Sequence, residues 1–127
     1  MDNISNLSPS VLCFVGDAVY GLLVRSYLAE INRPSATLHK ESVKWVSAPA
    51  QTKVFSIIEP LLTESEIAVF KRGRNFHTNS TPKNATKQEY HIATGLEALF
   101  GYLYLSKEND RINELFENIK ANYNVEN

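Results

Sequence analysis

Two apolar segments, each with one acid among glycines, constrain the fold of this chain most. The first reads Phe-Val-Gly-Asp-Ala-Val-Tyr around Asp17, and the second reads Thr-Gly-Leu-Glu-Ala-Leu-Phe-Gly-Tyr-Leu-Tyr around Glu97. A glycine inside a helix costs about 1 kcal/mol relative to alanine. Close approach of two helix backbones is the usual compensation, and it would bring the two acids together. The glycines expected to make such contacts are Gly16, Gly21, Gly95 and Gly101.

The two acids indicate a shared cation. Burial of an unpaired carboxylate is costly, so a protein normally neutralises it, pairs it or gives it a metal ion. Hard oxygen ligands favour Mg²⁺, with Mn²⁺ as a substitute, and a magnesium site needs only one or two protein carboxylates. We therefore predict that Asp17 and Glu97 are metal ligands and catalytic residues. The alternative is that each is an ordinary, partly buried acid paired with a nearby basic side chain.

Helix signals recur along the chain, and no segment shows the alternation of a β-strand. With 127 residues and 43% hydrophobic composition, the chain has enough apolar material for one core. We predict an all-α helical bundle that forms a single domain over residues 1–127. The first helix is apolar around most of its circumference, so we expect it to be central and packed on several sides.

The helix bounds follow from caps and breakers. Ser8 and Ser35 are predicted N-caps, and capping boxes are predicted at Thr63–Glu66 and Thr86–Glu89. The predicted helices run from Pro9 to about Glu30, from Ser35 to about Ser47, from Pro49 to Pro60, from Thr63 toward Arg74, from Thr86 to about Ser106, and over the periodic face Ile112–Tyr123.

Positive charge is concentrated between residues 71 and 87. This segment holds five of the 13 basic residues and no acid, so eight basic residues face all 14 acids elsewhere. It includes a polar loop rich in Asn, Thr and Ser, which hydrogen-bond phosphate and ribose oxygens, so we predict RNA contact. The alternative is a solvated helix end, where cations complement the helix dipole. The candidate RNA-binding residues are Lys71, Arg72, Arg74, Asn75, Thr81, Lys83, Asn84 and Lys87.

Other features point to a reducing compartment. Cys13 is the single cysteine, and His39, His77 and His91 lack metal-ligand spacing. The first six residues do not resemble a signal peptide, and no apolar run suggests a membrane span. We expect a cytoplasmic protein with no membrane partner.

Three motifs, taken in order, resemble the catalytic domain of the ribonuclease III family. The segment Val11–Val19 resembles its signature helix, and Gly95–Leu105 resembles its second acidic helix. The segment Phe70–Asn75 falls where those domains carry a glycine-containing loop. The resemblance spans most of the chain and implies the ribonuclease III-like endonuclease fold.

The chain also departs from the usual pattern of that family. Cys13 stands where an acid usually precedes the signature aspartate, and Thr94 stands where an aspartate usually precedes the second glutamate. Asp17 and Glu97 are thus two of the usual four acids, and we expect no double-stranded-RNA-binding domain of the usual kind, since the sequence ends about 30 residues past Glu97. These departures resemble the Mini-ribonuclease III branch. Whether Cys13 and Thr94 contribute through water stays open.

The resemblance implies a homodimer that cleaves double-stranded RNA, with no action on DNA expected. Mg²⁺ held by Asp17 and Glu97 would activate a water molecule and leave 5′-phosphate and 3′-hydroxyl ends. The implied role is maturation of the large-subunit (23S) ribosomal RNA precursor. The main alternative is a non-catalytic RNA-binding or ribosome-assembly module on the same fold. A helical protein-interaction domain is a third interpretation, which leaves the basic segment unexplained.

Overall fold

The structure, a computed structural model, describes residues 3–76 and 85–125. These ranges contain six α-helices and three short 3₁₀ turns, and no strand occurs within them, so the all-α prediction is confirmed. The helices are α1 Pro9–Leu28, α2 Ser35–Val46, α3 Ala48–Ile58, α4 Glu64–Arg74, α5 Lys87–Leu105 and α6 Asn109–Asn122. The 3₁₀ turns are Ile4–Asn6, Ala29–Ile31 and Glu59–Leu61.

Both predicted capping boxes are present. The backbone N–H of Thr63 donates to Glu66 at 2.9 Å, and that of Thr86 donates to Glu89 at 2.9 Å. Each threonine hydroxyl accepts from the glutamate backbone N–H in return. Ser8 caps α1 as predicted. These bonds satisfy backbone donors that have no partner inside the helix, which fixes where α1, α4 and α5 begin.

Two helix starts differ from the prediction. Ser35 is predicted to cap α2, but it is the first residue of that helix, and the preceding Pro34 makes no side-chain cap. Proline suits this position because the cap residue needs no backbone N–H for the helix. Helix α3 begins one residue before Pro49, with the Ser47 hydroxyl accepting from Ala50 N–H at 3.4 Å.

Helix α5 is the centre of the bundle. It packs against α1, α3, α4 and α6, and nearly every residue from Ala93 to Leu103 is buried. Helix α1 also packs against α2 and α4, as the prediction of packing on several sides requires, but part of its circumference is open. On α1, Phe14 is 81% exposed and Leu22 is 67% exposed. Its apolar circumference therefore has an inner face against α5 and an outer face left open.

An aromatic cluster holds α1 against α2 and α6. Tyr20 is buried, its hydroxyl donates to the Trp45 carbonyl at 3.0 Å, and its ring meets Phe116 edge-on. Burial raises the pKa of the Tyr20 hydroxyl above its usual range, so this hydroxyl remains a neutral donor. Because Tyr20 lies one turn after Asp17, this cluster fixes the part of α1 that carries the candidate ligand.

Helix α1 and the turn after it, Pro9–Ile31, are long and apolar enough to cross a membrane by length and composition alone. The expectation that no segment resembles a span is therefore wrong by that criterion. A core helix meets the same criterion, and α1 packs along the length of α5 in this fold.

Candidate functional site

Helices α1 and α5 touch through their backbones at two glycines. A Cβ atom placed on Gly16 would lie 1.6 Å from the carbonyl oxygen of Glu97, and one on Gly101 would lie 2.0 Å from the carbonyl oxygen of Leu12. No side chain fits at such distances, so glycine is required at both positions. The predicted close approach is confirmed for this pair, and it sets Asp17 and Glu97 on adjoining turns of the two helices.

The other two glycines do not serve the same contact. A Cβ atom on Gly95 would meet the Phe70 ring at 2.6 Å, so this glycine admits α4 rather than α1. Gly21 has open space around the position of a Cβ atom, and the prediction that it marks a backbone contact is wrong. The Cβ position of Gly21 lies on the side of α1 that does not contact α5.

The two carboxylates differ in their surroundings. The pKa of the Glu97 carboxyl is raised to about 7. Burial is the largest cause, a hydrogen bond from Gln51 opposes it, and the charge and hydrogen bonding of Asp17 add to it. Glu97 is half-buried, whereas Asp17 is exposed. The premise that both acids are buried is thus wrong for Asp17, whose side chain is exposed although it interacts with Glu97.

The pair suits a divalent cation. Within residues 3–76 and 85–125, no salt bridge joins Asp17 or Glu97 to a basic side chain, so these residues give no support to the ordinary-ion-pair alternative. No group of three or more potential metal ligands occurs in the same ranges, so the described part of the site offers the two carboxylates of Asp17 and Glu97. Asp17 lines a groove of about 360 Å³ that also includes Ser42 and Arg25. Such a groove leaves room for waters and substrate oxygens to complete the coordination of the ion.

Cys13 and Thr94, which stand where acids are usual, form protein hydrogen bonds instead. The Cys13 thiol donates to the Thr94 carbonyl at 3.0 Å, and burial together with the nearby Glu97 charge raises the thiol pKa to about 12. Cys13 therefore stays neutral and supplies no third anionic ligand. The Thr94 hydroxyl is shared between the carbonyls of His91, at 2.8 Å, and Gly73, at 3.2 Å.

The structure adds Gln51, which sequence analysis missed. Gln51 is 3% exposed on α3, and its side-chain nitrogen Nε2 donates to Glu97 Oε2 at 3.2 Å. The oxygen Oε1 of the same amide is buried and has no hydrogen-bond partner among the described residues. A signal existed in the sequence, because Gln51 precedes Val54 and Ile58 at helical spacing and is polar on an apolar face.

The basic segment is only partly described. Arg74, Asn75 and Lys87 line one groove of about 600 Å³ between α3, the end of α4 and the start of α5, and Lys71 is exposed nearby in sequence. The Thr94–Gly73 hydrogen bond fixes this end of α4 one turn from Glu97. The remaining predicted RNA ligands, Thr81, Lys83 and Asn84, lie outside the described residues, as does His77.

Arg72 has a structural contact inside the protomer. Its guanidinium donates to the Leu7 carbonyl at 2.7 Å, which ties the first 3₁₀ turn to α4. Adjacent basic residues in one run thus differ in their surroundings, since Lys71 is exposed while Arg72 is half-buried.

Comparison with known proteins points to the ribonuclease III family. The profile of the Ribonuclease III domain matches residues 10–108. A Mini-ribonuclease 3 from Thermoanaerobacter sp. is 47% identical over 91% of this chain and 82% of its own length, and one from Clostridium tetani is 41% identical over 91% and 78%. A crystal structure of a Fusobacterium nucleatum protein superposes with a TM-score of 0.83 at 32% identity, covering 92% of this chain and 94% of that one.

Proposed function

This chain belongs to the ribonuclease III family and is an endoribonuclease, and from that premise we propose that it cleaves double-stranded RNA as a Mg²⁺-dependent homodimer. The family acts on double-stranded RNA, typically as dimers, and generally depends on a divalent metal. Each element of the proposal draws on particular residues of this chain.

The proposal depends above all on the juxtaposition of Asp17 and Glu97 across the α1–α5 contact. Asp17 and Glu97 would hold the ion. The pKa of Glu97 is raised mainly by burial and further by the neighbouring Asp17, and a cation between the two acids would favour their charged forms. When bound, Mg²⁺ supplies electrostatic stabilisation of the scissile phosphate and activation of the attacking water. The exposed Asp17 lines the groove through which a phosphate would approach, and the half-buried Glu97 would be the second protein ligand of the ion. Hydrolysis in this arrangement leaves 5′-phosphate and 3′-hydroxyl ends.

The open face of α1 supports the homodimer. Val11, Phe14 and Leu22 are 41%, 81% and 67% exposed, and Phe14 lies one turn before Asp17. Large exposed apolar side chains in one patch are typical of an interface. A two-fold pairing through this face sets the two copies of Asp17 near a common surface, as cleavage of both strands of a duplex requires.

The end of α4 and the start of α5 supply the proposed RNA contact. Lys71, Arg74 and Lys87 would meet phosphates, with Asn75 donating or accepting at ribose or phosphate oxygens. Thr81, Lys83 and Asn84 complete the proposed set, and Arg72 would contribute beside its bond to Leu7. Because these contacts read charge and backbone shape, they suit an RNA duplex of varied sequence.

We further propose that the natural substrate is the precursor of the large-subunit ribosomal RNA, cleaved in the cytoplasm. This proposal follows the resemblance to the Mini-ribonuclease III branch, and relatives with that name match over most of the chain. Cleavage mapping on precursor 23S ribosomal RNA tests it, because a defined product pair is expected there and random nicking is not.

The test of the enzymatic proposal compares the wild type with Asp17→Asn and Glu97→Gln on duplex RNA with Mg²⁺. We expect cleavage by the wild type and its loss in both variants, with dimerisation and RNA binding retained. Asp110→Asn is the matched control, since Asp110 is an exposed acid on α6 and should leave cleavage unchanged. A duplex DNA of the same sequence should stay intact. RNA binding without wild-type cleavage would favour the non-catalytic module instead.

A further inference from the structure

Gln51 is a buried polar residue on an otherwise apolar face of α3. The side chains at the neighbouring inward positions of that helix include Val54, Phe55 and Ile58, all of which belong to the core. Only 3% of Gln51 is exposed. Packing alone would favour an apolar residue of the same length here, because a buried amide loses its hydrogen bonds to water.

The orientation of the Gln51 amide is determined by its partners. The carbonyl oxygen of Val46 can only accept a hydrogen bond, and it lies 2.9 Å from Nε2, so the amino group of the amide must face it. The same amino group reaches Glu97 Oε2 at 3.2 Å. Both of its protons are therefore used, one on a backbone carbonyl and one on the candidate metal ligand.

This orientation leaves the amide oxygen without a partner. Gln51 Oε1 is buried and accepts no hydrogen bond from the described residues. A buried acceptor without a donor is unfavourable, and an apolar side chain at this position would remove that penalty. What an apolar side chain could not supply is the hydrogen bond to Glu97.

We propose that Gln51 is a positioning residue for the metal site. Its amide holds Oε2 of Glu97 against α3, which leaves Oε1 of Glu97 and the two carboxylate oxygens of Asp17 to take the ion. The proposal rests on the metal-dependent function proposed above. A carboxylate that is oriented before the ion arrives loses less conformational freedom on binding, and hydrogen-bond partners of metal ligands typically contribute a factor of about 10–100 in metal affinity.

The test measures Mn²⁺ binding to the full chain without RNA, from the electron paramagnetic resonance signal of free Mn²⁺. We expect Gln51→Met, which has a similar size and no donor, to weaken Mn²⁺ binding about tenfold. In a Glu97→Gln background the same substitution should have no further effect, because the hydrogen bond acts through that carboxylate. Val54→Ala is the control, since it removes packing from the same helix but no hydrogen bond to Glu97, and Mn²⁺ affinity should be unchanged.

A second measurement needs no substitution and covers the case in which Gln51→Met fails to fold. In the ¹⁵N-labelled wild type, the side-chain amide resonances of Gln51 should shift when Mg²⁺ is added, since the ion draws charge from the carboxylate that they contact.

The outcomes separate this inference from the function on which it rests. If the wild type binds Mn²⁺ through Asp17 and Glu97, while Gln51→Met binds as tightly or the Gln51 resonances stay in place, the positioning role is wrong and the metal site stands. If the wild type binds no Mn²⁺, or if Asp17→Asn and Glu97→Gln bind as tightly as the wild type, the proposed metal site is wrong and the inference falls with it.

Discussion

Gly16 lies directly against the backbone of Glu97, so that a Cβ atom on Gly16 would stand 1.6 Å from the Glu97 carbonyl oxygen. The contact joins the two helices that carry the acids. Gly16 is next to Asp17 in the sequence, and Glu97 is itself the second acid. The geometry of the candidate site is therefore set by backbone packing, and the carboxylates need no side-chain scaffold between α1 and α5.

The first prediction follows from that contact. Gly16→Ala should force α1 and α5 apart and lower the free energy of unfolding by about 3 kcal/mol or more, as overpacking of a rigid backbone contact does. Gly21→Ala is the matched control on the same helix, because nothing lies within 4 Å of its Cβ position. Alanine there should be neutral or should stabilise the protein by about 0.5–1 kcal/mol. Urea unfolding monitored by circular dichroism measures both, and equal effects would contradict the contact.

A second prediction concerns the pH dependence of stability in metal-free buffer. The pKa of Glu97 is about 7 in the folded protein and 4.5 for an unperturbed carboxyl, so the native state binds more protons than the unfolded state between these values. Folding stability must then fall as pH rises through this window. Glu97→Gln cannot ionise, so at about pH 8 it should be more stable than the wild type, on the order of 2–3 kcal/mol.

The difference between the two proteins isolates Glu97, because every other titrating group is shared. It should shrink toward zero as the pH falls below 4.5, where the wild-type carboxyl becomes protonated in both states. Added Mg²⁺ at pH 8 should raise the melting temperature of the wild type and not that of Glu97→Gln. A stability difference that stays constant with pH would contradict the raised pKa.

A third prediction tests the ion pair that joins α6 to α4. Glu66 is only 6% exposed. Arg111 donates two hydrogen bonds to its carboxylate, at 2.9 Å and 2.8 Å, and a third to the Leu61 carbonyl at 2.7 Å. Arg111→Met leaves a buried carboxylate without its cation and should cost about 2–4 kcal/mol near neutral pH. Glu41→Gln, which breaks a half-exposed pair with Lys44, should cost less than about 0.5 kcal/mol.

The pH dependence of the Arg111 effect has a definite sign. The hydrogen bond from Arg111 holds the pKa of Glu66 below its usual range, so its stabilisation is present above the unfolded pKa of 4.5 and is lost as pH falls through the folded pKa. The difference between wild type and Arg111→Met should therefore be largest at neutral pH and decrease in acid. A difference that grows on acidification would exclude this pairing as its source.

A fourth prediction separates RNA contacts from structural cations within one run. The double variant Lys71→Gln and Arg74→Gln should weaken RNA binding and lower the salt dependence of the binding constant by about one unit of slope per lost phosphate contact. Arg72→Gln should in addition lower the melting temperature, because it removes the donor to the Leu7 carbonyl, whereas the Lys71 and Arg74 substitutions remove no such bond. Lys107→Gln, at the opposite end of α5, is the control for general loss of charge, and a slope change as large there would contradict local contact.

The sequence predicted those features that depend on neighbours in the chain. The capping boxes at Thr63 and Thr86 are complete within four residues, so they could be located without the fold. The meeting of α1 and α5 could also be predicted, since a glycine beside an acid in an apolar helix is costly unless another backbone packs closely against it. These two kinds of signal account for most helix bounds and for the acid pair.

The features that were missed depend on contacts between distant parts of the chain. Gln51 meets Glu97 across 46 positions, and Arg72 meets Leu7 across 65. The sequence alone does not distinguish a basic side chain that donates to a backbone carbonyl from one that binds a phosphate. The exposure of Asp17 was missed for a related reason, because hydrophobic periodicity indicates which faces are apolar but not which of them the protomer itself covers.

The last prediction concerns that uncovered face. Phe14, three residues before Asp17, is 81% exposed in the single chain. A solvent-exposed aromatic ring on an apolar helix face is a strong candidate for the central residue of an interface. Phe14→Ala should convert a dimer at micromolar concentration into a monomer in analytical ultracentrifugation, with its helical circular dichroism unchanged, because the ring makes little contact inside its own protomer. Tyr104→Ala is the control, since Tyr104 is 52% exposed on another helix and its substitution should leave the dimer intact.

The monomer should bind Mn²⁺ through Asp17 and Glu97 yet cut duplex RNA poorly, because one copy of the basic segment offers half of the proposed phosphate contacts. Sedimentation of Phe14→Ala as a full dimer would place the interface on some other surface.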